Sequence, residues 1–212
     1  MRRGVFFTFE GMDGCGKSTQ IQFLSEYLEE RGLPCLLTRE PGGCPISEKI
    51  RDLLLDVANG DMDGYTEAML YAAARAQHIS QTILPALEAG KIVLCDRYLD
   101  SSLAYQGAGR GLGLERVLEI NRYAVTRCMP DVTFFFDVGA EDAKFRRRKR
   151  AEEDRLERED EAFHCRVYEG FLAVAERFPE RIQRVDVSGT KYETRDKLRA
   201  IVERLLEERK DG

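Results

Sequence analysis

Val5-Phe-Phe-Thr-Phe-Glu-Gly11-Met-Asp-Gly-Cys-Gly16-Lys17-Ser18-Thr19 decides the fold, because it joins a short apolar run to an amphipathic one through a glycine-rich turn. The apolar run predicts a strand, and the residues after Lys17 predict a helix. The spacing G-x-x-x-x-G-K-[ST] between them is typical of a phosphate-binding loop. Backbone N–H groups in such a loop, together with the positive end of the helix, attract phosphate oxygens.

The side chains of this loop predict a nucleoside triphosphate bound with a divalent cation. Glycines let the backbone approach phosphate oxygens where a Cβ would clash. Lys17 can reach the β- and γ-phosphates of ATP, and Ser18 can ligate Mg²⁺. The alternative is an ordinary strand–turn–helix. The residues assigned to nucleotide binding here are Gly11, Gly14, Gly16, Lys17, Ser18 and Thr19.

Composition narrows the class of protein. The chain has 212 residues, which fits one domain over 1–212, and a net charge of −5, which does not suggest a general nucleic-acid binder. Six scattered cysteines predict reduced thiols, and the two histidines fit no metal motif. The apolar run 5–9 is too short for a signal peptide or a membrane span. We therefore expect a cytoplasmic protein without nucleic-acid or membrane partners.

Apolar and amphipathic segments alternate along the chain and predict a doubly wound α/β fold, a five-stranded parallel sheet flanked by helices. Several apolar runs are continuous, as in strands buried on both faces. The predicted strands are 5–10, 34–38, 91–95, 131–137 and 182–187. The predicted helices are 18–31, 46–57, 65–89, 114–128, 141–178 with breaks, and 192–209.

Charged residues follow two of these strands, at the sheet edge where ligands of open α/β proteins collect. Asp96 ends the third strand and suits a second Mg²⁺ contact, direct or through water, although aspartates at strand ends are common. Arg97 can contact a second phosphate group. Arg39, in the turn Thr38-Arg-Glu-Pro-Gly-Gly43, can bind an acceptor phosphate; its alternative is a solvated surface arginine.

Two further patterns are less decisive. Tyr71 and Arg75 lie four residues apart on a predicted helix and could hold a base and a phosphate; spacing alone favours a core tyrosine and a surface arginine. The run Lys144–Arg150 holds six cations and is followed by acidic residues. It can be a solvated helix face, a nucleic-acid patch, or a lid, about 141–160, that swings arginines over a transferring phosphoryl group.

Taken together, these motifs resemble bacterial thymidylate kinases over nearly the whole chain. The resemblance rests on the phosphate loop, Arg39-Glu-Pro-Gly-Gly43, Tyr71-Ala-Ala-Ala-Arg75, the block Asp96-Arg-Tyr through Ser102, Tyr105 and Gln106, and Asp154-Arg-Leu-Glu157. It implies a P-loop kinase fold, transfer of a phosphoryl group from ATP to dTMP with Mg²⁺, and a homodimer.

The resemblance also implies a role for each matching position. Asp13 would bind the deoxyribose 3′-hydroxyl, and Tyr71 would stack on thymine. Tyr105 would crowd a ribose 2′-hydroxyl. The acceptor phosphate would be clamped by Arg39, Arg75 and Arg97. Ser102 would meet the base edge, with Gln106 also on the substrate side.

Gly14 stands where one subtype carries an arginine, so the lid would have to supply the transition-state cation. We assign this cation to Arg150 and donor contacts to Arg146 and Arg148. The residues expected to act in catalysis are then Lys17, Arg97, Arg150 and Asp13, with Ser18 and Asp96 at the metal.

Three alternatives remain open from the sequence. Another nucleoside monophosphate kinase would differ around Tyr71, Ser102 and Tyr105. A GTPase switch could use Asp61-Met-Asp-Gly64 as a D-x-x-G motif, although no N-K-x-D motif accompanies it. A scaffold that only binds nucleotide would not need Lys17, Ser18 and Asp96 together.

Overall fold

The structure is a computed structural model that describes residues 3–138 and 154–211. A five-stranded sheet lies at its centre, in the order β2-β3-β1-β4-β5, and every adjacent pair is parallel. This confirms the doubly wound α/β prediction. The strands are β1 Phe6–Glu10, β2 Cys35–Arg39, β3 Ile92–Asp96, β4 Val132–Asp137 and β5 Ile182–Asp186, each within about a residue of its predicted start and end.

The register of the sheet brings the charged strand ends together. Phe9 of β1 lies beside Asp96 of β3, and Arg39 of β2 lies on the other side of Asp96. All five residues of β1 are buried, as expected for a central strand covered on both faces. The residues that follow β1, β2 and β3 therefore meet at one edge of the sheet.

Helices cover both faces of the sheet. They are α1 Lys17–Glu30, α2 Pro45–Leu55, α3 Gly64–His78, α4 Leu84–Glu88, α5 Leu99–Ser102, α6 Leu114–Ile120, α7 Arg122–Arg127, α8 Glu161–Arg177 and α9 Lys191–Asp211. A π-helical turn, Ile79–Ile83, continues α3 into α4, and another, Leu103–Gly109, extends α5. Within the described residues, none of these helices has the length and apolar content needed to cross a bilayer.

Two helix predictions need correction. The single helix predicted over 114–128 is two short helices that meet at Asn121, whose side-chain amide donates to the Val117 carbonyl and whose oxygen accepts from Arg75. Such side-chain bonds compete with helix continuation. The helical stretch 99–109 was not predicted at all, because its sequence has no clear amphipathic period.

The D-x-x-G match at 61–64 has a local explanation. The Asp63 carboxylate caps α3, accepting from the backbone N–H groups of Tyr65 and Thr66 at 2.9 and 3.1 Å. The match lies between helices, as the sequence indicated, and not at a strand end where a GTPase would need it.

The segment predicted as a lid is only partly described. Lys144–Arg150, and with it Arg146, Arg148 and Arg150, lies outside the described residues. Residues 154–160 are described, and Arg155 among them is buried, with Nε donating to the Leu54 carbonyl and Nη2 to Glu67, at 2.8 and 2.6 Å. The end of the predicted lid is thus anchored to α2 and α3.

Candidate active site

A pocket of about 400 Å³ opens where the strands end. It is lined by the phosphate loop, the turn after β2, α2, α3, the end of β3, α5 and residues 154–157. Most of the site residues predicted from the sequence are brought together here. They are Asp13, Gly14, Gly16, Lys17, Ser18, Thr19, Arg39, Tyr71, Arg75, Asp96, Arg97, Ser102, Tyr105 and Gln106.

The phosphate loop has the backbone that its glycines predict. Gly11, Gly14 and Gly16 all have positive φ, and a Cβ on Gly11 would lie 2.6 Å from the Phe136 carbonyl oxygen. Gly16 caps α1, which begins at Lys17. The Lys17 ammonium folds back over the loop and donates to the carbonyls of Gly11 and Met12 at 3.0 and 3.1 Å. The loop therefore presents a cation and a helix N-terminus to the same space.

Ser18 and Asp96 form a pair that fits a magnesium ion. The Ser18 hydroxyl donates to Asp96 Oδ2 at 3.2 Å, so two oxygen ligands lie side by side next to the loop. Asp96 Oδ1 is buried and has no hydrogen-bond partner among the described residues. A buried carboxylate oxygen without a hydrogen-bond partner destabilises the folded protein unless a ligand binds it. Hydroxyl and carboxylate oxygens are the ligands that Mg²⁺ prefers.

Arg97 and Asp13 form the central ion pair of the pocket. Arg97 Nη2 donates to Asp13 Oδ1 at 2.7 Å, and the Tyr105 hydroxyl donates to Asp13 Oδ2 at 3.0 Å. Burial opposes ionisation of Asp13, but the cations of Arg97 and Lys17 outweigh it and hold the pKa of this carboxyl well below its ordinary value. Asp13 is therefore an anion at neutral pH, able to accept hydrogen bonds.

Arg97 also has an unusual backbone. Its φ of 67° lies in the left-handed region, and no other described non-glycine residue has a positive φ. This conformation costs about 1–3 kcal/mol in a residue with a Cβ, and such strain clusters at functional sites. Burial lowers the pKa of Arg97, but neighbouring anions, chiefly Asp13, raise it by more. The guanidinium therefore stays charged.

Arg39 and Arg51 bring two more cations to the pocket wall. Arg39 Nη1 and Nη2 each donate to one carboxylate oxygen of Glu48 at 3.0 Å, and both side chains are near 40% exposed. Arg51 donates to the Pro41 carbonyl at 3.0 Å. Arg51 was not predicted from the sequence. Its place three residues after Glu48 on the helix that follows the Arg39 turn could have indicated it.

Arg75 lies at the centre of a buried network that sequence spacing did not predict. It is 1% exposed, and Nε donates to Glu40 Oε2 at 2.7 Å while Nη2 donates to Ser102 Oγ at 3.0 Å. Nη1 donates to Asn121. The other Glu40 oxygen meets His78 Nδ1 at 2.9 Å, and His78 Nε2 meets Thr38 Oγ1 at 2.7 Å. We call Thr38, Glu40, Arg75, His78, Ser102 and Asn121 the buried network.

The position of Arg75 bears on two expectations. A surface arginine, which spacing alone favoured, is wrong, because Arg75 is among the most buried side chains of the described residues. Its phosphate-clamping role stays a prediction. Its bonds to Ser102 and to the Tyr98 carbonyl place it beside the residue expected at the base edge.

Tyr71 and Gln106 lie together beside Glu67, a fully buried carboxylate. Gln106 Nε2 donates to Glu67 Oε1 at 2.8 Å, and Arg110 and Arg155 donate to Oε2 at 3.0 and 2.6 Å. Burial, and the Glu67 carboxylate after it, raise the pKa of the Tyr71 phenol, which stays neutral. Its ring is buried at the pocket wall, where a flat ligand group can stack on it.

Comparison with known proteins agrees with this geometry. The family model for thymidylate kinase matches residues 9–198. A thymidylate kinase of Geobacillus sp. (strain WCH70) is 50% identical over 190 residues, covering 88% of this chain and 90% of its own. That of Symbiobacterium thermophilum is 49% identical over 208 residues, covering 98% and 97%.

A solved structure supports the same assignment. The crystal structure of thymidylate kinase from Ehrlichia chaffeensis superimposes with a TM-score of 0.77 at 32% sequence identity, covering 95% of this chain and 99% of its own. A family model spanning most of the chain, relatives near 50% identity and a shared fold all agree with the pocket. On this combined evidence, the chain is a member of the thymidylate kinase family.

Proposed function

We propose that the chain transfers the γ-phosphoryl group of ATP to a phosphate oxygen of dTMP, forming ADP and dTDP, in this single pocket. Family membership supports the two substrates. The observation that carries the proposal is the Asp13–Arg97 ion pair, because it joins the phosphate loop to the residues that follow β3. One loop would thus touch donor and acceptor together.

The donor side of the proposal rests on the loop backbone. Its N–H groups and the α1 N-terminus would hold the β-phosphate. The Lys17 ammonium would contact the transferring phosphoryl group and offset its negative charge. Ser18 and Asp96 would hold Mg²⁺, which when bound neutralises charge between the β- and γ-phosphates. This agrees with the unpartnered Asp96 oxygen.

The acceptor side divides into a phosphate end and a base end. Arg97 and Arg39 would bind the dTMP phosphate, and the ionised Asp13 would accept from the 3′-hydroxyl. Tyr71 would stack on thymine. We now assign Arg75 to the base end, since its Nη2 donates to Ser102. Because that hydroxyl oxygen already accepts a hydrogen bond, its own hydrogen is free to be donated to a base carbonyl.

Catalysis in this proposal is positioning and electrostatic stabilisation, since phosphoryl transfer needs little covalent work from the protein. Arg97 would hold the acceptor phosphate and Lys17 the donor phosphates, so that the two groups stay at a fixed distance from each other. The transition-state cation is still predicted to come from Arg150, with Arg146 and Arg148 at the donor phosphates, all outside the described residues.

The test is ADP release measured with ATP, Mg²⁺ and a panel of dTMP, dUMP, dCMP and UMP. We expect dTMP to be preferred, with UMP disfavoured by Tyr105 and dCMP by the donor at Ser102. Activity with another monophosphate in place of dTMP would favour a different nucleoside monophosphate kinase. No acceptor-dependent ADP release would contradict the proposal altogether.

We also propose a homodimer that works in the cytoplasm, where its free nucleotide substrates are found. The dimer is supported by exposed apolar side chains on adjacent helices, Leu53 of α2 and Tyr65 and Met69 of α3, with Met69 57% exposed. Light scattering after gel filtration tests this. Met69→Glu should shift the mass to one chain, and a monomeric parent protein would contradict the dimer.

A further inference from the structure

Glu10 is a buried carboxylate to which neither the sequence analysis nor the proposed function gives a role. It is the last residue of β1 and is 1% exposed. One of its oxygens accepts from the backbone N–H of Tyr98 at 2.7 Å, and the other accepts from the Ser101 hydroxyl. A single side chain therefore holds the two ends of the short segment 98–101 that follows Arg97.

When Glu10 is ionised, the hydrogen bonds through Ser101 have only one possible direction. A hydroxyl has one hydrogen, and Ser101 gives it to Glu10, so the Ser101 oxygen accepts from Arg97 Nη1 at 2.9 Å. The other end of the same guanidinium donates to Asp13 at 2.7 Å. Arg97 is thus held from two sides, by Asp13 in the phosphate loop and by Glu10 acting through Ser101.

The backbone of Arg97 depends on the same carboxylate. The N–H of Arg97 donates to the Phe9 carbonyl at 3.0 Å, and the next N–H, that of Tyr98, donates to Glu10. Between these two anchors on β1 the chain passes through the left-handed conformation at Arg97. That conformation is unfavourable for a residue with a Cβ and persists only where its surroundings enforce it.

We propose that Glu10 is a positioning residue for phosphoryl transfer, which aims Arg97 at the acceptor phosphate through Ser101 and the Tyr98 amide. This inference rests on the proposed role of Arg97. Glu10 is 1% exposed and is not among the residues that line the pocket, so it acts on substrate only through its neighbours. Without Glu10, Arg97 stays charged and keeps its bonds to Asp13 and the Gly11 carbonyl, but it loses the support that fixes Ser101 and the Tyr98 amide.

The charges around Glu10 set the conditions for a test. Burial and the neighbouring Asp100 carboxylate raise its pKa to about 7, while Arg97 opposes this. Asp100 is itself paired with Arg181 and Thr133. Measurements at pH 8, above this pKa, keep most of the Glu10 population ionised.

The experiment is steady-state kinetics at pH 8 with ATP and dTMP varied separately. The proteins are the parent, Ser101→Ala, Glu10→Gln, Arg97→Ala and the double variant Ser101→Ala/Arg97→Ala. Ser101→Ala should lower kcat/KM for dTMP about tenfold, the scale on which misplaced groups act, and leave KM for ATP within about twofold. Glu10→Gln, which offers one carbonyl oxygen where two acceptors are needed, should change the same parameters in the same direction.

The double variant separates positioning from a general structural effect. In the Arg97→Ala background, Ser101→Ala should change kcat/KM for dTMP by less than about twofold, because coupled residues are not additive. Thr8→Val is the matched control: it removes one buried hydrogen bond, to Thr133, from the same strand. It should lower the thermal midpoint while leaving KM for dTMP unchanged.

The possible outcomes separate a positioning role of Glu10 from a general structural effect and from a failure of the proposed function. If Arg97→Ala impairs dTMP turnover but Ser101→Ala does not, or if both losses simply add, the positioning role of Glu10 is wrong and the proposed function stands. If Thr8→Val raises KM for dTMP as much as Ser101→Ala does, the effect is structural and the inference fails. If the parent lacks dTMP-dependent activity, or Arg97→Ala behaves as the parent, the proposed function fails and takes this inference with it.

Discussion

The phosphate loop and the buried network line the same pocket but are built in different ways. Lys17 reaches carbonyls only five and six residues away, and the loop conformation follows from its own glycines. In the buried network, Glu40 meets Arg75 from 35 residues away, and Arg75 meets Asn121 from 46 residues away. The phosphate loop is built from contacts between residues close in the sequence. The buried network forms only when several helices and strands pack together.

This difference predicts different responses to substitution. A loop side chain that faces the ligand should matter for turnover more than for stability. A network side chain is buried with its charge partner, so its loss leaves an unpaired charge in the interior, which is strongly destabilising. The following substitutions test that division, from the largest expected effect to the smallest.

Lys17→Ala should lower kcat by about a thousandfold or more, because it removes the loop's cation from the transferring phosphoryl group. ADP release at saturating ATP and dTMP measures this. Lys49→Ala, at an exposed position of α2, serves as the control and should stay within about twofold of the parent. Near-normal turnover of Lys17→Ala in a folded protein would refute the assignment of this lysine.

Glu40→Gln should lower the free energy of unfolding by about 3–5 kcal/mol, since it leaves the buried Arg75 charge without its partner. Glu48→Gln breaks the exposed pair with Arg39 at the same turn and should cost at most about 1 kcal/mol. Urea unfolding of both variants at pH 7 gives the comparison. Equal losses of unfolding free energy in the two variants would show that the buried Glu40–Arg75 pair matters no more for stability than the exposed Glu48–Arg39 pair.

Glu10 should contribute a free energy of unfolding that falls as pH rises from about 4.5 to about 7. Burial and Asp100 raise its pKa to about 7 in the folded chain, so in this window the folded state holds a proton that the unfolded state has lost. The contribution is on the order of 3 kcal/mol and then levels off. Urea unfolding across this range should show a flatter profile for Glu10→Gln; parallel curves would contradict the assignment.

Asp96→Asn should raise the Mg²⁺ concentration needed for half-maximal activity about tenfold, because an amide oxygen is a neutral and weaker ligand. A magnesium titration of ADP release measures the change. Asp61→Asn, exposed and remote from the pocket lining, is the matched control. An unchanged magnesium requirement in Asp96→Asn would remove this residue from the proposed metal site.

The hydrophobic pattern predicted β1, β3 and β4 well because these strands are buried along nearly their whole length and read as continuous apolar runs. It failed at Asn121, where a side chain tied to Val117 and Arg75 divides one predicted helix into two. In the site, the glycine-rich loop lies between β1 and α1 as predicted. Arg75 was placed on the correct helix face with Tyr71, but spacing could not reveal that Glu40 would hold it in the interior.

The sequence by itself determined the phosphate loop, the parallel strands and the residues gathered at their carboxyl ends, because glycine spacing and apolar runs act over a few neighbouring residues. Only the tertiary structure decided the partners of Arg75 and the hydrogen bonds that Glu10 accepts from Tyr98 and Ser101. The physical reason is the register between β1 and β3, which sets Phe9 beside Asp96 and so brings Glu10 to the turn that carries Arg97.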